Sequence, residues 1–146
     1  MIEIKYLTEY TPEMAARVRE LLVQLSRSGK DKGEIPEQWF LDVIASPWHD
    51  VILAYDGNKI VGMASLSVMM GAGIGKNAYL EDFVVDSAAR TGGIGTALWN
   101  EMIEWGHKKG CRRMEFTCGE GREIAQAFYK KRGAEIYPTN FFRFEL

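Results

Sequence analysis

Residues 79–110 read YLEDFVVDSAARTGGIGTALWNEMIEWGHKKG, and this stretch decides the fold. Its first part is apolar and β-branched, as a buried strand is. The turn that follows ends in closely spaced glycines, after which Ile94, Leu98 and Met102 recur at helical spacing. Two lysines and Gly110 end the segment in the way that many helices end. The stretch therefore predicts a strand, a glycine-rich turn and a long helix.

The flanking sequence extends this unit to a mixed α/β fold with the order βααβββαβαββ, a mixed central sheet flanked by helices. Alternation of period two marks the strands, apolar spacing of three and four residues marks the helices, and Asp56-Gly57-Asn58 predicts a hairpin. The glycines of residues 71–75 predict the tip of a second hairpin. The predicted strands are residues 2–6, 51–55, 59–70, 78–85, 112–118, 134–137 and 141–144. The predicted helices are residues 12–28, 36–45, 94–109 and 124–132.

Length and composition indicate one globular domain over residues 1–146. Of the 146 residues, 47% are apolar and 26% are charged, close to the average of globular proteins. The net charge of -2 supplies no positive field for nucleic acid or an anionic membrane. No apolar run approaches the roughly 20 residues of a membrane-spanning helix. The N-terminus lacks the organisation of a secretion signal, so we expect a cytoplasmic protein with neither nucleic acid nor membrane as a partner.

The two cysteines, Cys111 and Cys118, are too few for a disulfide framework. A structural zinc site would require a second cluster of ligands, and the sequence offers none. We therefore expect free, partly buried thiols and no bound metal.

The turn at residues 90–95 has the properties of an anion site. Its glycines let backbone N–H groups approach a ligand closely, the helix dipole adds partial positive charge, and Arg90 offers a forked guanidinium. A plain tight turn explains the same glycines, so the residues alone leave both interpretations open.

Two phosphate motifs are excluded by spacing. Residues 71–77 are one residue short of a P-loop and end in Asn77 instead of a hydroxyl, and residues 92–95 do not fit G-x-G-x-x-G.

The segment Arg90-x-x-Gly93-x-Gly95, directly after a strand that ends in Val84-Val85, resembles the R/Q-x-x-G-x-G/A signature of the GNAT superfamily of N-acetyltransferases. Residues 80–85 look like the fourth strand of that family. A second segment, Ala125-x-x-Phe128-Tyr129-x-x-x-Gly133, is similar to the family pattern A-x-x-F-Y-x-x-x-G-F, from which this chain departs at Ala134. The two segments closely cover roughly half of the chain, and the element order extends the resemblance over nearly all of it.

The resemblance implies an acetyl-coenzyme A-dependent N-acetyltransferase. Pantetheine would lie along the fourth strand, the Val85 amide would donate to the thioester carbonyl, and Tyr129 would protonate the departing thiolate. Glu81 is the first candidate to accept the amine proton and Asp82 the second. The cofactor-binding residues that the resemblance implies are Phe83, Val84, Val85, Arg90, Thr91, Gly92, Gly93, Ile94, Gly95, Thr96 and Tyr129.

The acceptor is expected to be a small primary amine, attacked directly in a ternary complex because no nucleophilic triad is visible. Glu81 and Asp82 are neighbours on a strand, which predicts that their side chains point to opposite faces. Alternatives are a weak acyl-coenzyme A-binding or sensor module and a protein acetyltransferase acting on lysine or an N-terminus; a homodimer is left open. The candidate walls of the acceptor pocket are Trp39, Phe40, Trp48, His49, Met69, Met70 and Phe141.

Overall fold

The computed structural model describes residues 1–89 and 92–146, and its helices and strands follow the predicted order as far as the fourth helix. The chain forms two units, Met1–Phe116 and Thr117–Leu146. The strands are β1 (Ile2–Tyr6), β2 (His49–Asp56), β3 (Lys59–Gly71), β4 (Gly75–Val85) and β5 (Met114–Glu115). The helices are α1 (Pro12–Leu25), α2 (Glu37–Ala45), α3 (Ile94–Lys108) and α4 (Glu123–Lys131), with a 3-10 turn at Ser87–Ala89.

The first unit contains a five-stranded sheet in the order β1-β2-β3-β4-β5. The first four strands are antiparallel neighbours, whereas β5 runs parallel to β4. The predicted hairpin is confirmed, because Asp56 pairs with Lys59 across a turn in which Gly57 has φ +60°. β3 and β4 join at the second predicted hairpin, between Gly71 and Gly75.

One face of the sheet packs against α1 and α2. The threonine and proline at residues 11 and 12 begin α1 as predicted, since the Thr11 hydroxyl accepts from the Met14 amide at 3.2 Å. The buried side chains of this layer include Val18, Leu21, Phe40, Val51, Leu53, Met63 and Val84.

The opposite face packs against α3. Ile94, Leu98, Met102 and Trp105 are all buried, as their spacing predicts. The Trp105 indole donates to Asp50 at 2.7 Å, which satisfies its buried N–H. Helix α3, which the sequence predicts after the glycine-rich turn, therefore packs against the sheet through buried core side chains.

A β-bulge interrupts β4. Ser65 pairs with Glu81 and Met63 with Val84, so the two residues 82 and 83 lie opposite the single residue 64. Asp82 has φ +49°, in the left-handed region that a non-glycine residue seldom adopts. Simple alternation of side chains therefore fails at this point of the strand.

The second unit contains α4 but not the final strand pair. Residues 132–146, all of which are described, contain neither helix nor strand, so the strands predicted at 134–137 and 141–144 are wrong for this structure. Their alternation buries nothing, since Ile136, Phe142 and Phe144 are 73%, 88% and 87% exposed. In the first unit, β5 is likewise shorter than the predicted strand at 112–118.

Candidate active site

The end of β4 and the start of α3 form the centre of the candidate site. Gly93 is the N-cap residue of α3 and has φ +74°, a conformation that favours glycine. It brings no side chain to the first amides of the helix, and the first turn contains no acidic residue. Among the described residues, none beyond the chain neighbours of Gly93 has an atom within 4 Å of the position that a Cβ atom would take there. An anionic group such as a pyrophosphate fits this end of the helix.

The predicted cofactor residues divide into three groups. Gly92, Gly93, Ile94, Gly95 and Thr96 lie at the N-terminal end of α3 as expected, although the Ile94 side chain is buried in the core. Phe83, Val84 and Val85 lie at the end of β4. Arg90 and Thr91 lie outside the described residues.

β4 and β5 share only a short parallel ladder. Ala78 pairs with Met114 and Tyr79 with Glu115, and β4 then continues to Val85 while β5 ends. Val84 points into the core and is 5% exposed, so any contact with a ligand there involves its backbone. The side chains of Phe83 and Val85 are half-buried, so of these three residues only Val84 belongs to the core. A main-chain contact of this strand with a cofactor stays a prediction.

The bulge brings the two candidate carboxylates to one side of the sheet. Residues directly opposite each other on neighbouring strands share a face, which places Glu81 beside Ser65. The Ser65 hydroxyl also donates to the Asp82 carboxylate at 3.1 Å. The expectation that Glu81 and Asp82 point to opposite faces is therefore wrong, because the left-handed backbone at Asp82 cancels one step of the alternation.

Both carboxylates have altered acidity. Burial, and then the charge of Asp82, raise the pKa of Glu81. Burial also raises the pKa of Asp82, against the opposing effects of the Ser65 hydrogen bond and the Lys32 charge. A raised pKa makes a carboxylate a stronger base, which favours its acting as a proton acceptor. Sequence reasoning missed Ser65 and Lys32, because only the register of β3 and the loop after α1 bring them here.

Tyr129 lies on α4 in the second unit. Its ring contacts Phe128 edge-to-face, with 5.7 Å between centroids. Burial, and then the neighbouring Cys118, raise the pKa of Tyr129 to about 12. The phenol is therefore protonated at physiological pH and has a proton to donate.

The predicted wall of the acceptor pocket is only partly accessible. Phe40 is 1% exposed and belongs to the core, so it is not a wall residue. Trp39 packs edge-to-face on it and keeps 37% of its surface exposed. Met69 lies on the face of Ser65 and Glu81, whereas Met70 lies on the other face. Trp48 lies beneath the Lys76 ammonium and His49 bonds to Ser46. Phe141 belongs to the second unit and is 68% exposed.

Residues of α1 bond to the chain where it leaves β4, and no sequence motif marked them. Arg17 and Gln24 both bond to Asp86, the residue that follows β4.

Both cysteines are free, as expected. Among the described residues, no cluster of three His, Cys, Asp or Glu side chains has metal-site geometry. No helix within residues 1–89 and 92–146 is long and apolar enough to cross a membrane.

Comparison with known proteins identifies the family. The model of the acetyltransferase (GNAT) family matches residues 15–134, and the chain belongs to this family. Its fold is a GNAT fold, as the resemblance predicts.

Solved structures agree over almost the whole chain. An aminoglycoside acetyltransferase from an uncultured soil metagenomic sample has 21% identity and a TM-score of 0.82, covering 99% of this chain and 97% of that one. Glucosamine-6-phosphate N-acetyltransferase from Arabidopsis thaliana has 20% identity and a TM-score of 0.79, with coverages of 99% and 98%. AAC(6')-Iy, in complex with the bisubstrate analogue CoA-S-monomethyl-acetylneamine, has 20% identity and a TM-score of 0.75, with coverages of 100% and 99%. At these identities the likeness establishes the fold alone.

Proposed function

We propose that this GNAT acetyltransferase transfers an acetyl group from acetyl-coenzyme A to a primary amine of a small molecule. The observation that carries the proposal is the juxtaposition on one strand of two features. The Glu81–Asp82 pair lies in β4, and the same strand leads to the glycine-capped N-terminus of α3. The first feature suits an amine and the second suits an anion, which are the two partners of this reaction.

In the proposed complex, backbone amides at the start of α3 hold the pyrophosphate. Arg90 and Thr91 are assigned to the same group by the family motif. Pantetheine lies along the end of β4, and the Val85 amide donates to the thioester carbonyl as negative charge develops on its oxygen. We assign this role to the backbone of Val85 because its aliphatic side chain carries no hydrogen-bond donor and its main-chain amide does.

Proton transfer is assigned to two side chains. Glu81 accepts the proton that the ammonium group must lose before it attacks, with Asp82 as the alternative base. Tyr129 donates a proton to the departing thiolate, and its phenol is in the protonated form that this role requires. The amine attacks the thioester directly, with the thiol as leaving group and the amide as product.

A small acceptor is favoured by the local chemistry and by the structural relatives. The two carboxylates attract a cation, and Ser65 and Met69 share their face of the sheet. Proteins with this fold include acetyltransferases whose names specify aminoglycosides and glucosamine-6-phosphate. We also propose that residues 1–146 act as one catalytic domain, with a homodimer as the candidate assembly.

The decisive experiment is acetyl-coenzyme A-dependent thiol release across a panel of amino sugars, aminoglycosides, diamines, lysine peptides and peptides with free N-termini. Saturable thiol release with a small amine, and acetylated product by mass spectrometry, is the expected result. Efficient acetylation of peptides alone would replace the small acceptor by a protein. Tight binding of coenzyme A without turnover of any amine would instead favour a sensor module.

A further inference from the structure

Asp86 is a buried anchor between β4 and the turn that leads to α3. The residue is 4% exposed, and its amide bonds to the Val61 carbonyl at 2.8 Å, continuing the contact of β4 with β3. Its carboxylate accepts from the Ala88 amide at 3.1 Å, which shapes the 3-10 turn after the strand. The direction of the chain toward the cofactor turn is therefore set at this carboxylate.

Side chains of helix α1 bond to Asp86 and to the residue after it. Arg17 donates to the Asp86 carboxylate at 2.5 Å and to the Ile60 carbonyl at 2.8 Å, so it joins α1, β3 and the turn. Gln24 lies about two helical turns further along the same face of α1. Its side-chain oxygen accepts from the Ser87 amide at 2.9 Å, and its nitrogen donates to Asp86 at 3.2 Å.

We propose that Arg17, Gln24 and Asp86 are positioning residues that fix the start of the pyrophosphate-binding turn. This inference rests on the proposed function. A turn rich in glycine loses much conformational freedom when a ligand orders it, and fixed points at residues 86 and 87 reduce that cost before the ligand arrives. The three side chains act through the backbone of the turn and touch no reacting atom.

Gln24 is the member of this group that separates positioning from stability. Its side chain is exposed, so truncation leaves no cavity, while both of its hydrogen bonds go to residues 86 and 87. The packing of α1 on the sheet depends on buried residues such as Val18 and Leu21, which this change does not affect. A purely structural role for Gln24 would change stability and leave ligand selectivity unaltered.

The test compares two ligands on the Gln24→Ala variant. We expect the dissociation constant of coenzyme A and the KM of acetyl-coenzyme A to rise roughly three- to thirtyfold, as for the loss of one or two hydrogen bonds. The KM of S-acetylpantetheine, which lacks the pyrophosphate, should stay within twofold, and so should kcat. Gln38→Ala is the matched control, because Gln38 makes one exposed hydrogen bond to Asp42 on α2, at 2.9 Å.

Three results would overturn the inference. One is unchanged affinity for coenzyme A in Gln24→Ala, and another is an equal loss for coenzyme A and S-acetylpantetheine. If the wild-type protein bound no coenzyme A in calorimetry, the proposed function itself would fail, and the positioning role with it. Both ligand comparisons presuppose that the wild type binds, so the two failures are distinguishable.

Discussion

Gly62 lies where the sheet meets the first turns of α3, and its substitution by alanine tests that contact. A Cβ atom at Gly62 would lie 3.0 Å from Leu98 Cδ1, 3.2 Å from Ile94 Cγ2 and 3.2 Å from the Val84 carbonyl oxygen. All three distances are shorter than an ordinary van der Waals contact between such atoms. Leu98 is fully buried and Val84 contributes backbone, so neither neighbour has free space into which to move.

The expected cost follows from two opposing effects. Overpacking a close-packed interior by one methyl group costs about 1–3 kcal/mol. Replacing a glycine by alanine returns about 0.4–1 kcal/mol, because the unfolded chain loses conformational freedom. Gly62→Ala should therefore lower the free energy of unfolding by up to about 2.5 kcal/mol, with a central value of about 1.3 kcal/mol. Since Ile94 and Leu98 lie at the start of α3, the affinity for coenzyme A should fall as well.

Urea denaturation of Gly62→Ala and Gly106→Ala measures this effect with a matched control. Gly106 also lies between α3 and the sheet, but its added Cβ would be 3.9 Å from the Ala78 methyl group, an ordinary contact. Alanine in a helix is favoured over glycine by about 0.8–1 kcal/mol, so Gly106→Ala should be neutral or stabilising. Equal stabilities of the two variants would refute the assignment of a close approach at Gly62.

Three further predictions concern the site. Replacing Gly95 by aspartate should weaken coenzyme A binding in calorimetry and leave the fold intact, because a carboxylate would occupy the space of the pyrophosphate; unchanged affinity would reject this site. Tyr129→Phe should lower kcat by roughly ten- to a thousandfold with little change in cofactor affinity, unless another group protonates the thiolate. Asp86→Asn should lower the free energy of unfolding by about 1–2 kcal/mol at pH 7, since the Ala88 amide and then Arg17 and Gln24 lower the pKa of Asp86 to about 2. That difference from the wild type should shrink as the pH falls from about 4 to about 2 in urea titrations, and a difference that persists at pH 2 would contradict it.

The helices were predictable from sequence to within a few residues at their ends. α3 was predicted at residues 94–109 and spans Ile94–Lys108, because its hydrogen bonds and its apolar stripe are both local properties of the chain. Strands depend on partners that are distant in sequence. The apolar pattern of residues 134–144 was therefore not sufficient to make strands, and β5 is only Met114–Glu115.

The motif residues of the site were predictable, and their supporting contacts were not. The glycine-capped helix start follows from the R-x-x-G-x-G pattern and lies where expected. In contrast, Arg17 reaches Asp86 across a sequence separation of 69 residues, which no local pattern encodes. The bulge at Asp82 is also invisible in sequence, because an aspartate gives little sign of a left-handed backbone.

The choice between Glu81 and Asp82 as general base can be made from the direction of a pH shift. A general base acts only when deprotonated, so the acid limb of kcat/KM follows its pKa in the free enzyme. The charge of Asp82 raises the pKa of Glu81, and removing that charge should lower it. If Glu81 is the base, Asp82→Asn therefore keeps activity, and the acid limb moves to lower pH.

If Asp82 is the base, the same variant loses activity by roughly a hundred- to ten-thousandfold. The Ser65→Ala variant then gives an independent test, through the direction in which the acid limb moves. The Ser65 hydrogen bond lowers the pKa of Asp82, so its loss raises that pKa and moves the acid limb of an Asp82-dependent rate to higher pH. The two outcomes are mutually exclusive. If the acid limb of Asp82→Asn moves to lower pH, the base is Glu81. If Asp82→Asn loses activity and the acid limb of Ser65→Ala moves to higher pH, the base is Asp82. An active Asp82→Asn variant with an unshifted limb would contradict both, because neither carboxylate would then control the rate.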